Sequence, residues 1–347
     1  MASILDIQTL MKKPNTVALA KRLLDVNISE GTIVLPEQMR EWANQTFHGA
    51  DVSKQTIVRV TSKVLGEQAL FNSLRALRPV QKAVSVNEDI LDKSAHESFA
   101  SPLTMTPSDD FGRITGKRSI TAANVAKYDA RHGLVIFQSN DPYDFKDEDI
   151  LDFWETSRRW FIESNSKDKK AVYPFLMWNC LWRSGASMVH GHWQLLLTHG
   201  QPYEGVRRIE KASAAYKKKY GTSFWGDYAK LHSLLGLSIF VENAKAYVHV
   251  CPKKEKEIII HAQSPEKLFH AVSTILPKLR STGTESFDMV VYMPPLPWKR
   301  SSWTMPWLAR IVDRGSLDAK TSDIGGMELY AASVVTSDPF KVAEALR

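Results

Sequence analysis

The run Ser187-Met188-Val189-His190-Gly191-His192-Trp193-Gln194 decides how this chain is read. In an extended strand successive side chains alternate between two faces. The spacing therefore predicts a strand over about 188–197, with His190, His192 and Gln194 on one side. Val189, Trp193 and Leu195 then turn to the other side, toward a core. Two imidazoles and an amide in a row on one strand face cost free energy unless they are hydrogen-bonded or line a solvated cleft. Three uses fit this stripe. The histidines can be structural, they can share a metal ion from positions i and i+2, or one of them can be a nucleophile.

Just upstream, Gly185-Ala186-Ser187 is a small-residue turn whose backbone amides suit an anion, as phosphate-cradling loops do. A neutral imidazole attacks phosphorus well when an acceptor holds its other ring nitrogen and so fixes the tautomer. The spacing offers a division of roles: His192 attacks, His190 stands beside it, Ser187 and the turn amides hold phosphate oxygens, and Gln194 donates a neutral hydrogen bond.

The longer segment Asn179-Cys180-Leu181-Trp182-Arg183-Ser184-Gly185-Ala186-Ser187, continuing to Gln194, resembles the active-site motif of the histidine-triad-like nucleotidyltransferases. The resemblance is to the galactose-1-phosphate uridylyltransferase and diadenosine tetraphosphate phosphorylase branch. There the pattern is Asn, then Gly-x-Ser-x-x-His-x-His-x-Gln, with the second histidine as nucleophile and glutamine where hydrolases carry a third histidine. Arg75-Ala76-Leu77-Arg78-Pro79 is similar to the branch's Arg-Ala-x-Arg-Pro segment. The stretch from Asn124 to Ile136, through His132, is similar to its Asn-x7-His-x-Leu-x-Ile segment. The resemblance implies His192, His190, Gln194 and Ser187 as catalytic residues. It implies Asn179, Gly185, Arg75, Arg78 and Asn124 on the substrate. Trp193 departs from the small or aliphatic residue often found there, the Cys-x-x-Cys zinc site of many uridylyltransferases is absent, and the match fades beyond Pro202.

The implied fold is α+β and histidine-triad-like: a largely antiparallel sheet with flanking helices, in two half-domains. Residues 1–55 read as a helical lead-in, 56–202 as the nucleotide-binding catalytic half, and 203–347 as a second α+β half on the acceptor side. Thr56–Thr61 alternates as a strand, and Leu70, Phe71, Leu74 and Leu77 fall at helical spacing. Residues 88–110 lack periodicity and read as a loop. Gly133–Phe137 is an apolar strand. After it, Asp144 is a candidate N-cap for a helix whose acidic first turn and basic end suit the helix dipole. Its buried stripe is Ile150, Phe153, Trp154, Trp160 and Phe161. Strands are expected over 172–178, 237–241, 246–250, 256–261, 287–293, 308–312 and 327–335, and a helix over 204–220 that ends at Gly221.

Composition narrows the partners. The 347 residues are 44% hydrophobic and 24% charged, as in soluble globular proteins. No apolar run reaches the roughly 18–20 residues of a membrane span, and the N-terminal basic residues follow the apolar stretch, unlike a secretory signal. A cytoplasmic enzyme is expected. The net charge of +7 favours anionic partners. With only Cys180 and Cys251, no cysteine zinc cluster is expected, and no resident metal. A divalent cation travelling with the nucleotide is the one cofactor the resemblance leaves room for. The partners it implies are a nucleotide or nucleotide sugar and a phosphate or sugar-phosphate acceptor, with a homodimer allowed and no nucleic acid or membrane.

The expected reaction passes a nucleoside monophosphate through a covalent histidine intermediate, from a nucleoside polyphosphate or nucleotide sugar to phosphate or a sugar 1-phosphate. A hexose-1-phosphate uridylyltransferase proper is one alternative. A catalytically silent nucleotide- or RNA-binding protein and a metal-dependent hydrolase using His190 and His192 are others. Gly112 to Ser119 looks like a P-loop but has three residues between its glycines, and Arg118 where Ser or Thr must follow the lysine.

Overall fold

The computed structural model describes residues 2–76, 88–298 and 303–347. Its centre is a nine-stranded antiparallel sheet built from β4 (Ser119–Ala123), β5 (His132–Phe137), β6 (Ala171–Cys180), β7 (His192–His199), β8 (Ser238–Ile239), β9 (Lys245–Val248), β10 (Ile258–Ala262), β11 (Phe287–Tyr292) and β12 (Trp307–Asp313). The order across the sheet is β4-β5-β7-β6-β11-β12-β10-β9-β8. In the large sheet the strands before residue 203 meet those after it at the β6–β11 seam, where Phe175 to Cys180 pair with Tyr292 to Phe287.

A second sheet has β1 (Leu24–Thr32), β2 (Lys54–Ser62), β3 (Gln68–Asn72) and β13 (Ser333–Val335) in the order β1-β2-β3-β13. It corrects two expectations. The lead-in is not wholly helical, because residues 24–32 pair along all of β2. Leu70 and Phe71 lie in β3 rather than a helix, with Phe71 opposite Val58. Backbone pairing and burial beside β2 outweigh a local helical pattern. Arg310 of β12 bolts this sheet to the large one. Its guanidinium reaches Glu67 at 2.7 Å and Glu257 at 2.6 Å, and all three side chains are buried.

The helix Asp147–Lys167 has the predicted buried stripe, with Ile150, Phe153, Trp154, Trp160 and Phe161 all inaccessible. It begins after Lys146, whose N–H donates to the Asp149 carboxylate, so Asp144 is not the cap. With the helix Pro265–Ser281 it covers one face of the large sheet. Trp193 packs there against Phe153 at 5.7 Å and Phe269 at 5.4 Å between ring centroids. The helix Glu204–Tyr220 ends at Gly221 as expected. Residues 88–110 are not one loop: they hold the helix Glu88–Ser94, a 3-10 turn at Ser98–Ala100 and a short helix at Pro102–Met105. Gly326–Tyr330 is helical, so only Ser333–Val335 of the expected final strand is extended. No helix among the described residues is long and apolar enough to cross a membrane.

Candidate active site

β7 begins at His192, not at Met188. Its ladder to β6 ends at Met177–Gln194, and beyond that point β6 departs into the turn at Trp182–Ser184. Residues 186–191 thus enter the strand as a loop, and His190 belongs to that loop. Trp193 and Leu195 face the helices with no exposure, while His192 and Gln194 face the other side beside Ile136 and Leu134 of β5. Gly191 makes the entry possible. A Cβ there lies 2.4 Å from the Phe137 ring and 3.0 Å from the Pro142 backbone, so only glycine fits this approach.

His192 is 6% exposed. Its Nδ1 lies 2.8 Å from the carbonyl oxygen of His190. A carbonyl can only accept, so Nδ1 carries the proton and the lone pair stays on Nε2. Burial pushes the imidazole pKa down to about 4, against the smaller opposing pull of that carbonyl. The ring is therefore neutral near pH 7. His190 donates from Nε2 to the Phe137 carbonyl at 2.8 Å, and its own pKa is lowered by burial. Both rings are thus tied to backbone carbonyls. Among the described residues no group of three His, Cys, Asp or Glu side chains is placed to hold a metal ion.

Gln194 is buried, and His132 orients it. His132 Nδ1 accepts from the Tyr128 N–H at 3.0 Å, which puts its proton on Nε2, and Nε2 donates to Gln194 Oε1 at 3.1 Å. The Gln194 carbonyl is thereby used, and its NH2 remains to donate. The Asn124 side-chain nitrogen lies 3.1 Å from the same Nε2, and Asn124 Oδ1 accepts from the Ala126 N–H. Tyr128 stacks on His132 at 4.8 Å. Asn124 thus belongs to this cluster, and His132, which the sequence resemblance quotes without a role, stands at its centre.

Two of the three amides of the expected anion cradle are engaged within the turn. Gly185, at φ +90°, caps the turn, and its N–H donates to the Trp182 carbonyl while that of Ala186 donates to Leu181. These amides are committed to the turn. Further along the loop the amides of Val189 and His190 point at an anion: each donates to the Glu97 carboxylate at 3.2 Å. Ser187 is exposed. Asn179 is half-buried on β6, opposite Asp288, whose carboxyl burial raises to about 6 despite Arg314 beside it.

Arg75 sits elsewhere. It lines a cavity with Ile33, Leu35, Trp42 and Phe47 beside the smaller sheet. Arg78 lies outside the described residues. The cations placed nearer are Lys117 and Arg118, which line a cavity of about 500 Å³ together with Phe99, Gln138, Asn140 and His190. The segment is no P-loop, since the Lys117 and Arg118 amides donate to Asp152. Only the third dimension could show these side chains lining one cavity with His190.

No protein-family model matches the chain, and no curated protein sequence does. Among solved structures it is similar to an ADP-glucose phosphorylase from Arabidopsis thaliana with bound ADP-glucose. That likeness has 15% identity and a TM-score of 0.64, over 83% of this chain and 97% of that one. A uridylyltransferase is similar at 16% identity over 84% and 97% of the two chains, with a TM-score of 0.57. A GalT-like protein from Arabidopsis thaliana is similar at 17% identity over 66% and 83%, with a TM-score of 0.56. At these identities the likeness shows the fold. The chain has the α+β fold of the GalT-like uridylyltransferases, as the sequence resemblance implied.

Proposed function

We propose that this chain, sharing that fold, is a nucleotidyl-transfer enzyme whose nucleophile is Nε2 of His192. One observation carries the reading: the His190 carbonyl holds the proton on Nδ1 of a buried, neutral His192 and leaves Nε2 as its basic nitrogen. Nε2 attacks the α-phosphorus of a nucleotide sugar or nucleoside polyphosphate. A P–N bond forms as the P–O bond to the leaving phosphate breaks, and the His190 carbonyl stabilises the resulting cationic ring. A second anion, phosphate or a sugar 1-phosphate, then attacks the same phosphorus and the P–N bond breaks.

Gln194 supports transfer over hydrolysis. Its amide donates to a phosphate oxygen but neither takes nor gives a proton, so it offers water no acid or base. Lys117 and Arg118 replace Arg75 as the candidates for balancing phosphate charge. The test is incubation with α-labelled ADP-glucose or UDP-glucose, followed by mapping of an acid-labile, base-stable adduct. It is expected on His192. Its absence with both donors, with adenosine and uridine polyphosphates also tried, removes the covalent mechanism.

A further inference from the structure

The resting structure already holds an aromatic ring and a carboxylate in the candidate site, and both come from one short segment. The Phe99 ring meets His192 edge-on at 5.0 Å and His190 at 6.2 Å. It covers the apolar patch of Ala122, Leu134 and Ile136 on the same sheet face. Two residues earlier, the Glu97 carboxylate accepts from the Val189 and His190 amides. A planar group on the apolar patch and an anion on the loop amides are the two parts of a nucleotide.

The segment is built like a strap. One end is fixed by Asn140, whose Nδ2 donates to the Leu91 carbonyl at 3.0 Å and to Ser94 Oγ at 2.9 Å. The other is fixed where Arg113 donates to Thr106 Oγ1 at 3.1 Å and the Ala123 N–H donates to the Pro107 carbonyl at 2.9 Å. Between these clamps, among the described residues, the hydrogen bonds reaching another part of the chain are the two at Glu97. Their 3.2 Å lengths are long for charge-assisted bonds. The outward side chains Leu103 and Met105 are 71% and 63% exposed, so the apolar packing that lifting the strap gives up is that of Phe99 on its patch.

We propose that residues 95–105 form an intrasteric strap that closes the site by imitating a nucleotide, with Phe99 in place of the planar base and Glu97 in place of a phosphate. Substrate enters by displacing both, and the strap lowers apparent affinity by the fraction of molecules that are closed. This rests on the reading of His192 as the nucleophile for its biological meaning, but not for its test.

Diethyl pyrocarbonate acylates accessible neutral imidazoles, and peptide mapping by mass spectrometry reads its rate at His192 whether or not the protein turns over. In the full chain, Phe99→Ala and Glu97→Gln are each expected to raise that rate, by about tenfold for a strap closed in roughly nine molecules of ten. Inorganic pyrophosphate, followed by calorimetry, is expected to bind Glu97→Gln about tenfold more tightly than the unaltered protein by the same population argument. A merely structural Glu97 gives the opposite sign, because losing its contacts loosens the loop and weakens the anion. Unchanged His192 acylation in both variants, or weaker pyrophosphate binding in Glu97→Gln, overturns the strap. Phe99→Leu, which keeps the patch covered, serves as the second variant should Phe99→Ala misfold, and it is expected to stay slow. Faster acylation without any nucleotidyl adduct keeps the strap and removes the transfer reading, while an adduct with unchanged acylation does the reverse.

Discussion

The carbonyl oxygen of His190 and Nδ1 of His192 stand 2.8 Å apart, and this single contact sets which nitrogen of His192 can react. It is made by backbone, so no substitution at position 190 removes the acceptor itself. A change there acts through the loop's path.

Removing the proposed nucleophile is the first expectation. His192→Ala loses the labelled adduct and lowers turnover by on the order of 10⁴-fold or more, as losing a nucleophile does elsewhere. His192→Gly regains part of the rate when imidazole is supplied in solution, because the cavity it leaves admits the missing ring. Single-turnover assays with and without imidazole check both. Full activity in His192→Ala would falsify the covalent route.

The second concerns pH. His192 is lowered from 6.5 to about 4, and in the proposed mechanism the neutral ring is the reactive form. Its contribution to kcat/KM therefore stays flat through pH 6–7 and declines only as pH falls toward 4. Stability moves earlier. His192, His232 and His261 are buried neutral, with values near 4, 3 and 4, so the unfolded chain takes up their protons first as pH drops below 6.5. Their stabilisation is full above 6.5 and is lost as pH falls through that window. Urea midpoints measured from pH 7.5 to 4.5 check it, with a shallower slope in His261→Asn.

Gln194 gives the third. Gln194→Glu puts an anion beside a developing anionic transition state, which costs roughly 3–4 kcal/mol, or about 100–1000-fold in rate. Gln194→His restores a group that can exchange protons, so water competes with the proper acceptor. His132→Leu frees the Gln194 carbonyl to rotate, and its defect is expected to vanish in the Gln194→Ala background. The ratio of free nucleoside monophosphate to transfer product is the readout. A ratio that does not move in Gln194→His removes the amide from the chemistry.

The fourth tests Gly191. Gly191→Ala drives a methyl group into the Phe137 ring, 2.4 Å away, and costs about 1–3 kcal/mol in stability. The same shift carries His190 and His192 off their carbonyls, so the adduct rate falls further than stability alone explains. Denaturation and adduct formation measured together separate the two effects.

The sequence showed the stripe and not its surroundings. Period-two spacing put His192 and Gln194 on one face and Trp193 on the other, because burial on the helix side enforces that alternation. It misplaced His190, since where a strand begins depends on the partner that pairs with it, and β6 lets go at Met177. The Gly185 turn signal was legible, but amide direction was not, and the loop amides that donate to a carboxylate are those of Val189 and His190. Glu97 and Phe99 come from a segment with no local periodicity or motif to mark them, and Lys117 and Arg118 from a stretch whose only mark was a P-loop likeness that its spacing rules out. Arg75 had a motif, yet β3 carries it to the other sheet.

The β6–β11 seam also has a temporal side. Cys180 pairs with Phe287, so the strand that leads into the histidine loop keeps one bare edge while more than a hundred further residues are synthesised. A newly made chain that already contains His192 exposes an apolar ladder to its neighbours until β11 arrives. Such distant pairing is slow to form. Chains interrupted before residue 287 are therefore expected to aggregate rather than persist as a free-standing catalytic half.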